Sequence, residues 1–289
     1  MKRALTVLGT GAQVLVQDLG RPGYAHLGVP PSGALDPPAL RLANRLVGNH
    51  EPAAGLEVLL GGLRLRAECS CTVAVTGPGV PVSVDDRAVG SHAPVHLKEG
   101  QTLALGAPER GLRNYVAVSG GVDVDVQLGS RSSDLLSGLG PEQVRAGDVL
   151  PLGVPAGLPI GVDTLPPERA PEALWVEVLL GPREDWFDDP AGQLTARTWT
   201  VTSDSNRVGL RLTGTALEVL AEYRGKQLPS EPVITGAVQV PSSGQPVIFL
   251  ADHPTTGGYP VIGVVHADEL PALAQARPGT TIQFRVVHP

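Results

Sequence analysis

Apolar residues in this chain recur at every second position or in short runs closed by glycine, proline or aspartate. Thr72–Val75, Val80–Val84, Pro94–Leu97, Thr102–Leu105 and Asn114–Val118 all have this form, which is the period of a strand with one or both faces buried. Helical spacing is rarer. From Asp36 to Val47, the residues Leu40, Ala43 and Val47 share one helical face; Asp36 is placed as N-cap, Pro37 takes the first helical position and Gly48 ends the run. A second short helix is expected over Asp268–Ala276, stopped by Pro278-Gly279, and a single turn over Arg183–Phe187. The pattern predicts a mainly β protein with a few short helices.

Two breaks organise these elements. Pro155–Pro171 (PAGLPIGVDTLPPERAP) holds five prolines and two glycines without periodicity, the composition of a linker. The expected division is therefore an N-terminal β subdomain over residues 1–157, a linker over 158–171 and a C-terminal β-barrel subdomain over 172–289. A charged residue, one further residue and a glycine precede a strand three times, at Lys98-Glu99-Gly100, Arg145-Ala146-Gly147 and Arg277-Pro278-Gly279. One kind of hairpin turn used in two related barrel-like units has this signature, as does any β protein rich in such turns.

Composition narrows the chemistry mostly by exclusion. Gly and Pro number 36 and 28 of 289 residues, and 42% of the chain is hydrophobic, so many turns and real cores are expected. The longest apolar-rich runs, Ala173–Leu180 and Val261–Val265, fall far short of the roughly 18–20 residues of a membrane span. MKRALTVLGTGAQ at the start is too short in apolar residues for a secretory signal, and a cytoplasmic protein is expected. A net charge of −7 with no basic run argues against nucleic acid as a partner. Cys69 and Cys71, two apart on an expected strand, stand about 6.5–7 Å apart, too far for a good disulfide. No histidine pair has ligand spacing, so no metal is expected. Gly9-Thr10-Gly11 lacks the third glycine of a dinucleotide fingerprint, and neither a phosphate-binding loop nor a nucleophile elbow occurs. Lysines are limited to Lys2, Lys98 and Lys226, none in a biotin-attachment setting, so biotin enters only on a partner chain.

Binding groups concentrate between Ser230 and Val265. Thr255, Thr256, Gly257, Gly258 and Tyr259 offer hydroxyls and glycine N–H groups that suit an anion-cradling nest, or alternatively a tight hairpin. Gln239 and Gln245 flank a turn, where two amides read a planar amide ligand or simply decorate a hairpin tip. Asp252 and His253 are adjacent and so point to opposite faces of a strand. Asn206 and Arg207 supply an amide and a guanidinium fork for a carboxylate, with a buried structural arginine as the alternative. Residues 17–24 and 28–36 form a second Gly/Pro-rich cluster feeding the first helix, expected to be structural or interfacial.

In order along the chain, QDLGRPGYAHLGVPPSGALDPPALRLANRLVGN, RNYVAVSGGVDVDVQLGSRSSD, GPREDWF, SNRVGLRLTG and SEPVITGAVQVPSSGQPVIFLADHPTTGGYPVIGVV closely resemble the carboxyltransferase subdomain A and B family. That family includes the C subunit of ATP-dependent 5-oxoprolinase, a kinase-inhibitor antagonist, the protein once labelled allophanate hydrolase subunit 2, and part of urea carboxylase. The resemblance implies two β-barrel subdomains with a cyclophilin-like element and a companion B subunit, a kinase-inhibitor-like protein, with the A subunit joining in the 5-oxoprolinases. It implies a small amide substrate, ATP used by the complex to open 5-oxoproline to L-glutamate, or carboxyl transfer from carboxybiotin on another chain. Carried onto this sequence, Asp252 and Glu231 are the catalytic carboxylates. Asn206, Arg207, Gln239, Gln245 and Thr255 to Tyr259 bind substrate. One departure is His253-Pro254, where the family pattern leads us to expect Arg-Gln.

Overall fold

The computed structural model describes residues 3–160 and 173–288. Residues 3–21 and 32–160 form one compact unit, and residues 22–31 with 173–288 form a second. Of the expected linker, residues 161–171 lie outside the described residues; of its start, Ile160 donates its N–H to the Leu46 carbonyl.

The first unit runs β1 (Ala4–Thr10), β2 (Gln13–Gln17), α1 (Pro37–Leu46), β3 (Gly55–Leu59), β4 (Leu63–Ala67), β5 (Cys71–Thr76), β6 (Val82–Val84), β7 (Arg87–Val89), β8 (Val95–Leu97), β9 (Thr102–Leu105), β10 (Arg113–Val118) and β11 (Val149–Pro151). A six-stranded sheet has the order β11-β1-β4-β9-β6-β7 and a five-stranded sheet the order β2-β3-β10-β5-β8. One apolar core joins inward residues of both, among them Leu5, Val7, Val58, Leu65, Val75, Leu103 and Val116. Each such fully buried aliphatic side chain contributes roughly 1.5–3 kcal/mol. Strand β10 is buried along its whole length because its two faces have different partners. Val116 and Val118 enter the core, while Tyr115 and Ala117 pack with residues of α1.

Helix α1 starts as its sequence dictates: the Asp36 carboxylate accepts from the Ala39 N–H at 3.1 Å and Pro37 follows. Its entry is fixed from below, where the Tyr115 hydroxyl donates to Glu57 at 2.8 Å and accepts from the Asp36 N–H at 2.8 Å. The same Glu57 carboxylate accepts from the Leu35 N–H. Burial and the neighbouring carboxylate push the Tyr115 hydroxyl well above the ordinary tyrosine range, so it stays a neutral donor. The glycine-rich cluster at residues 17–21 is tied to the Ser130–Ser133 loop: Asp18 accepts from the Ser130 and Ser132 hydroxyls, both at 2.6 Å, and from the Arg131 N–H. Buried Arg21 donates to the Ser132 carbonyl. Two of the long motifs are thereby one structural network. Both cysteines are free thiols, and burial pushes that of Cys71 up to about 11, so it is inert filling on β5.

The second unit contains β12 (Ala173–Leu180), α2 (Pro190–Thr195), β13 (Trp199–Val201), β14 (Gly209–Thr213), β15 (Glu231–Pro232), β16 (Ala237–Gln239), β17 (Val247–Phe249), β18 (Thr256–Gly257), β19 (Val261–Val265), α3 (Leu270–Ala274) and β20 (Thr281–Val287). Seven strands close a barrel in the order β12-β19-β16-β17-β14-β13-β20, sealed by the parallel pairing of β12 with β20 from Ala173↔Thr281 to Leu179↔Val287. Alternation puts Leu174, Val176 and Val178 inside with Ile282 and Phe284, while Arg285 lies over the ring of outward-facing Trp175. The chain is thus mainly β, with three short α-helices among the described residues. Among the described residues no helix is long and apolar enough to cross a membrane.

The recurring charged-x-glycine turn is one structure used three times. Gln101, Asp148 and Thr280 donate their N–H to Lys98, Arg145 and Arg277 respectively, and Gly100, Gly147 and Gly279 all have φ between 86° and 96°. That is a turn whose third position requires positive φ, hence glycine. Each glycine N–H also reaches a neighbouring strand, at Ala67, Val7 and Val201, so the turn recurs in both units.

Candidate functional site

The polar-rich segment from Ser230 to Val265 supplies barrel strands β16, β17 and β19 and the loops between them. Strand β15 pairs with β18 through Glu231↔Gly257 and Pro232↔Thr256, and Val233 donates to the Thr255 carbonyl. This small clasp brings the SEP and TTGG sequences together. A Cβ on Gly257 would meet the tip of the Gln239 side chain, whose amide would have to swing aside. Gln239, 7% exposed, turns that amide to the Tyr259 carbonyl at 3.3 Å.

Beside the clasp lies a groove of about 900 Å³. One wall is the Val240–Gly244 hairpin with Gly258, Tyr259 and Pro260; the other is residues 216–219 and 223–227; Trp186 completes the lining. The Leu217 N–H on the Gly244 carbonyl links the two walls, and the Val240 N–H on the Pro260 carbonyl holds the first wall together. The Tyr223 ring stacks on Trp186 at 4.5 Å with an interplanar angle of 9°, and the Lys226 ammonium lies 5.5 Å from the Tyr223 centroid.

Of the residues singled out in the sequence, Gly258 and Tyr259 line this groove and Gln239 supports it from behind. The others are engaged elsewhere. Arg207 forks onto Asp252, with Nε to Oδ2 at 2.8 Å and Nη2 to Oδ1 at 2.9 Å, and both side chains are buried. Where the sequence reading has Arg207 fork onto a substrate carboxylate and Asp252 act as a catalytic carboxylate, the structure instead pairs the two with one another in the interior. Gln245 pairs both ends of its amide with the Gly214 backbone, donating to its carbonyl at 3.1 Å and accepting from its N–H at 2.8 Å. It continues the β14–β17 pairing beyond Arg211↔Val247, so its amide is spent on the backbone while Gln239 stays near the groove. Asn206 closes its own turn by accepting from the Val208 N–H. The glycine nest is absent, since neither Gly257 nor Gly258 has positive φ. Thr255 serves the clasp through its carbonyl and Thr256 stands exposed on it.

Glu231 is held by Arg183, whose Nε donates to Oε2 at 2.9 Å and whose Nη2 donates to Oε1. That hydrogen bonding keeps the Glu231 carboxyl below its ordinary value of 4.5, so at neutral pH it is ionised and a poor proton donor. Because the folded value is depressed, the stabilisation from the pair is complete above the unfolded value and is lost as pH falls through the folded one. Arg183→Gln is expected to melt below the parent at pH 7, with the difference closing below pH about 4.5. Melting curves from pH 3.5 to 7 test this, and a constant difference across that range would contradict it.

His253 follows Asp252 in the turn beyond β17, so strand alternation does not govern the pair, and both side chains are buried. The His253 ring stacks on Phe249 and its Nδ1 lies 2.7 Å from the Pro254 carbonyl. Burial holds its pKa below the ordinary 6.5, so it is neutral at pH 7 and supplies no cation in place of an arginine. Trp186, Tyr223 and Lys226 escaped the sequence reading. Their signal was scarcity: with three Trp, four Tyr and three Phe in 289 residues, aromatic side chains gathered on one side of the barrel mark a site.

Residues 27–286 match the carboxyltransferase domain, subdomain A and B. The chain is 38% identical over 287 residues to the C subunit of 5-oxoprolinase from Escherichia coli, covering 97% of this chain and 90% of the relative. Among solved structures it is similar to the protein TTHA0988, with TM-score 0.88 and 37% identity over 98% of this chain, and spans 55% of that chain. The Kluyveromyces lactis urea carboxylase matches with TM-score 0.91 and 32% identity over all of this chain, which spans 28% of it. With these matches running through both units, the chain belongs to the carboxyltransferase subdomain A and B family.

Proposed function

We propose that this chain is the C subunit of an ATP-dependent 5-oxoprolinase complex that opens 5-oxoproline to L-glutamate together with the A and B subunits. The observation that carries this is the match to the E. coli protein along 90% of its length. In this function the groove receives the planar lactam, with its rim ordered by the clasp and by the Gln239 amide on Tyr259. Glu231, held ionised in its pair with Arg183, secures the clasp beside the groove and does not donate a proton. ATP is handled on a partner chain, consistent with the lack of a phosphate-binding loop in this sequence. The chain works in the cytoplasm and is inactive without its partners.

A second function, carboxyl transfer from biotin carried on another chain, is favoured by the high structural similarity to urea carboxylase. A regulatory role, binding a kinase inhibitor, is the third. The deciding experiment is to co-express the chain with candidate B and A subunits and measure 5-oxoproline-dependent ATP hydrolysis and glutamate formation, omitting each chain in turn. Activity that requires all three is expected. A stable complex without glutamate release would overturn the 5-oxoprolinase function and make biotinylated partners and urea the next substrates to test.

A further inference from the structure

The charges on the groove do not cancel. Among its lining residues Arg224 lies 3.5 Å from Glu218, which leaves the pair neutral. Lys226 has no carboxylate within ion-pair distance among the described residues; its ammonium lies over the face of Tyr223. Around the same groove stand the hydroxyls of Ser242, Ser243 and Tyr259. An unpaired ammonium beside hydroxyl donors and a stacked aromatic pair fits one class of ligand, a small planar molecule bearing a single carboxylate. A neutral ligand such as urea leaves that ammonium unmatched.

We propose that Lys226 is the specificity residue of the groove, receiving the carboxylate of a cyclic amide acid while the amide ring lies toward the Gln239–Tyr259 side. This rests on the 5-oxoprolinase function proposed above and names the group on the substrate that the chain recognises. Because a point charge suffices, Lys226→Arg should retain recognition and Lys226→Gln should lose it.

The experiment pairs substrate truncation with substitution. In the assembled complex, KM is measured for 5-oxoproline and for 2-pyrrolidone, which keeps the lactam and lacks the carboxylate, with the parent chain, Lys226→Gln and Lys226→Arg. The expected result is a KM for 5-oxoproline raised about tenfold by Lys226→Gln, the scale of a hydrogen bond to a charged group, with kcat little changed and KM for 2-pyrrolidone unaffected. Lys226→Arg should restore most of the difference. Equal effects on both substrates, or none on either, would overturn the assignment. If the complex opens no 5-oxoproline, the proposed function fails separately. Ligand-observed NMR of both compounds on the same complex then decides the role of Lys226: discrimination that disappears in Lys226→Gln supports it, and discrimination that is absent or persists overturns it.

Discussion

Arg207→Ala is expected to destabilise the chain by about 3–5 kcal/mol, the cost of stranding one member of a buried ion pair. At roughly 2–4 °C per kcal/mol for a domain of this size, the melting temperature should fall by about 6–20 °C. The cause is specific. Asp252 is completely buried and accepts two hydrogen bonds from the one guanidinium, so removal of that fork leaves a buried carboxylate without its cation. Asp252→Ala should cost a similar amount. The double change Arg207→Met with Asp252→Leu should recover much of it, because well-packed apolar residues avoid the desolvation of both ions. Arg207→Lys keeps the charge but loses the bidentate geometry and should fall between parent and alanine variant. Chemical denaturation of all four variants tests the set. If Arg207→Ala melted within about 2 °C of the parent while ligand affinity collapsed, the pair would be a binding device after all, and the buried-pair arithmetic would not apply.

Why the sequence pointed to ligand binding there is instructive. An arginine beside an asparagine and a serine says what those groups can bond to, and the deciding partner, Asp252, is 45 positions away. Gln245 tells the same story, its amide consumed by Gly214 across 31 positions. Gly257 and Gly258 show a different gap. Glycine permits positive φ without imposing it, and neither residue takes that conformation in the fold. Elements governed by local rules were legible. The five strand segments correspond to β5, β6, β8, β9 and β10, helix α1 starts at its Asp-Pro cap, and the turn at residues 183–187 contains a single 3-10 turn at Glu184–Trp186. Helix α2 was missed although Asp189-Pro190 repeats the same cap, with the Asp189 carboxylate accepting from Gly192. It spans only six residues and buries only Leu194, too little for an apolar period to emerge.

The wall of the groove formed by residues 216–227 depends on tertiary contact in the same way, and Trp186→Ala should expose that dependence. Truncating this 8%-exposed indole costs about 3–5 kcal/mol from lost burial and the cavity left behind. It also removes the surface on which Tyr223 stacks, about 0.5–1.5 kcal/mol in such pairs. The second loss falls on a segment with little else to hold it. Residues 221, 222 and 224–227 are exposed, and the segment's own hydrogen bonds are single turns such as Tyr223 N–H to Leu220 and Lys226 N–H to Tyr223. Hydrogen exchange at 220–227 should therefore accelerate by about tenfold or more, while the amides of the barrel strand β14 change only with global stability. Trp186→Phe keeps an aromatic face and should preserve protection of the segment even where the melting temperature drops. If exchange in the segment were unchanged in Trp186→Ala, the backbone link from Leu220 to the Trp186 carbonyl would be the true anchor. In that case the aromatic pair would serve the ligand and not the wall, and the same variant would raise KM with the segment still closed.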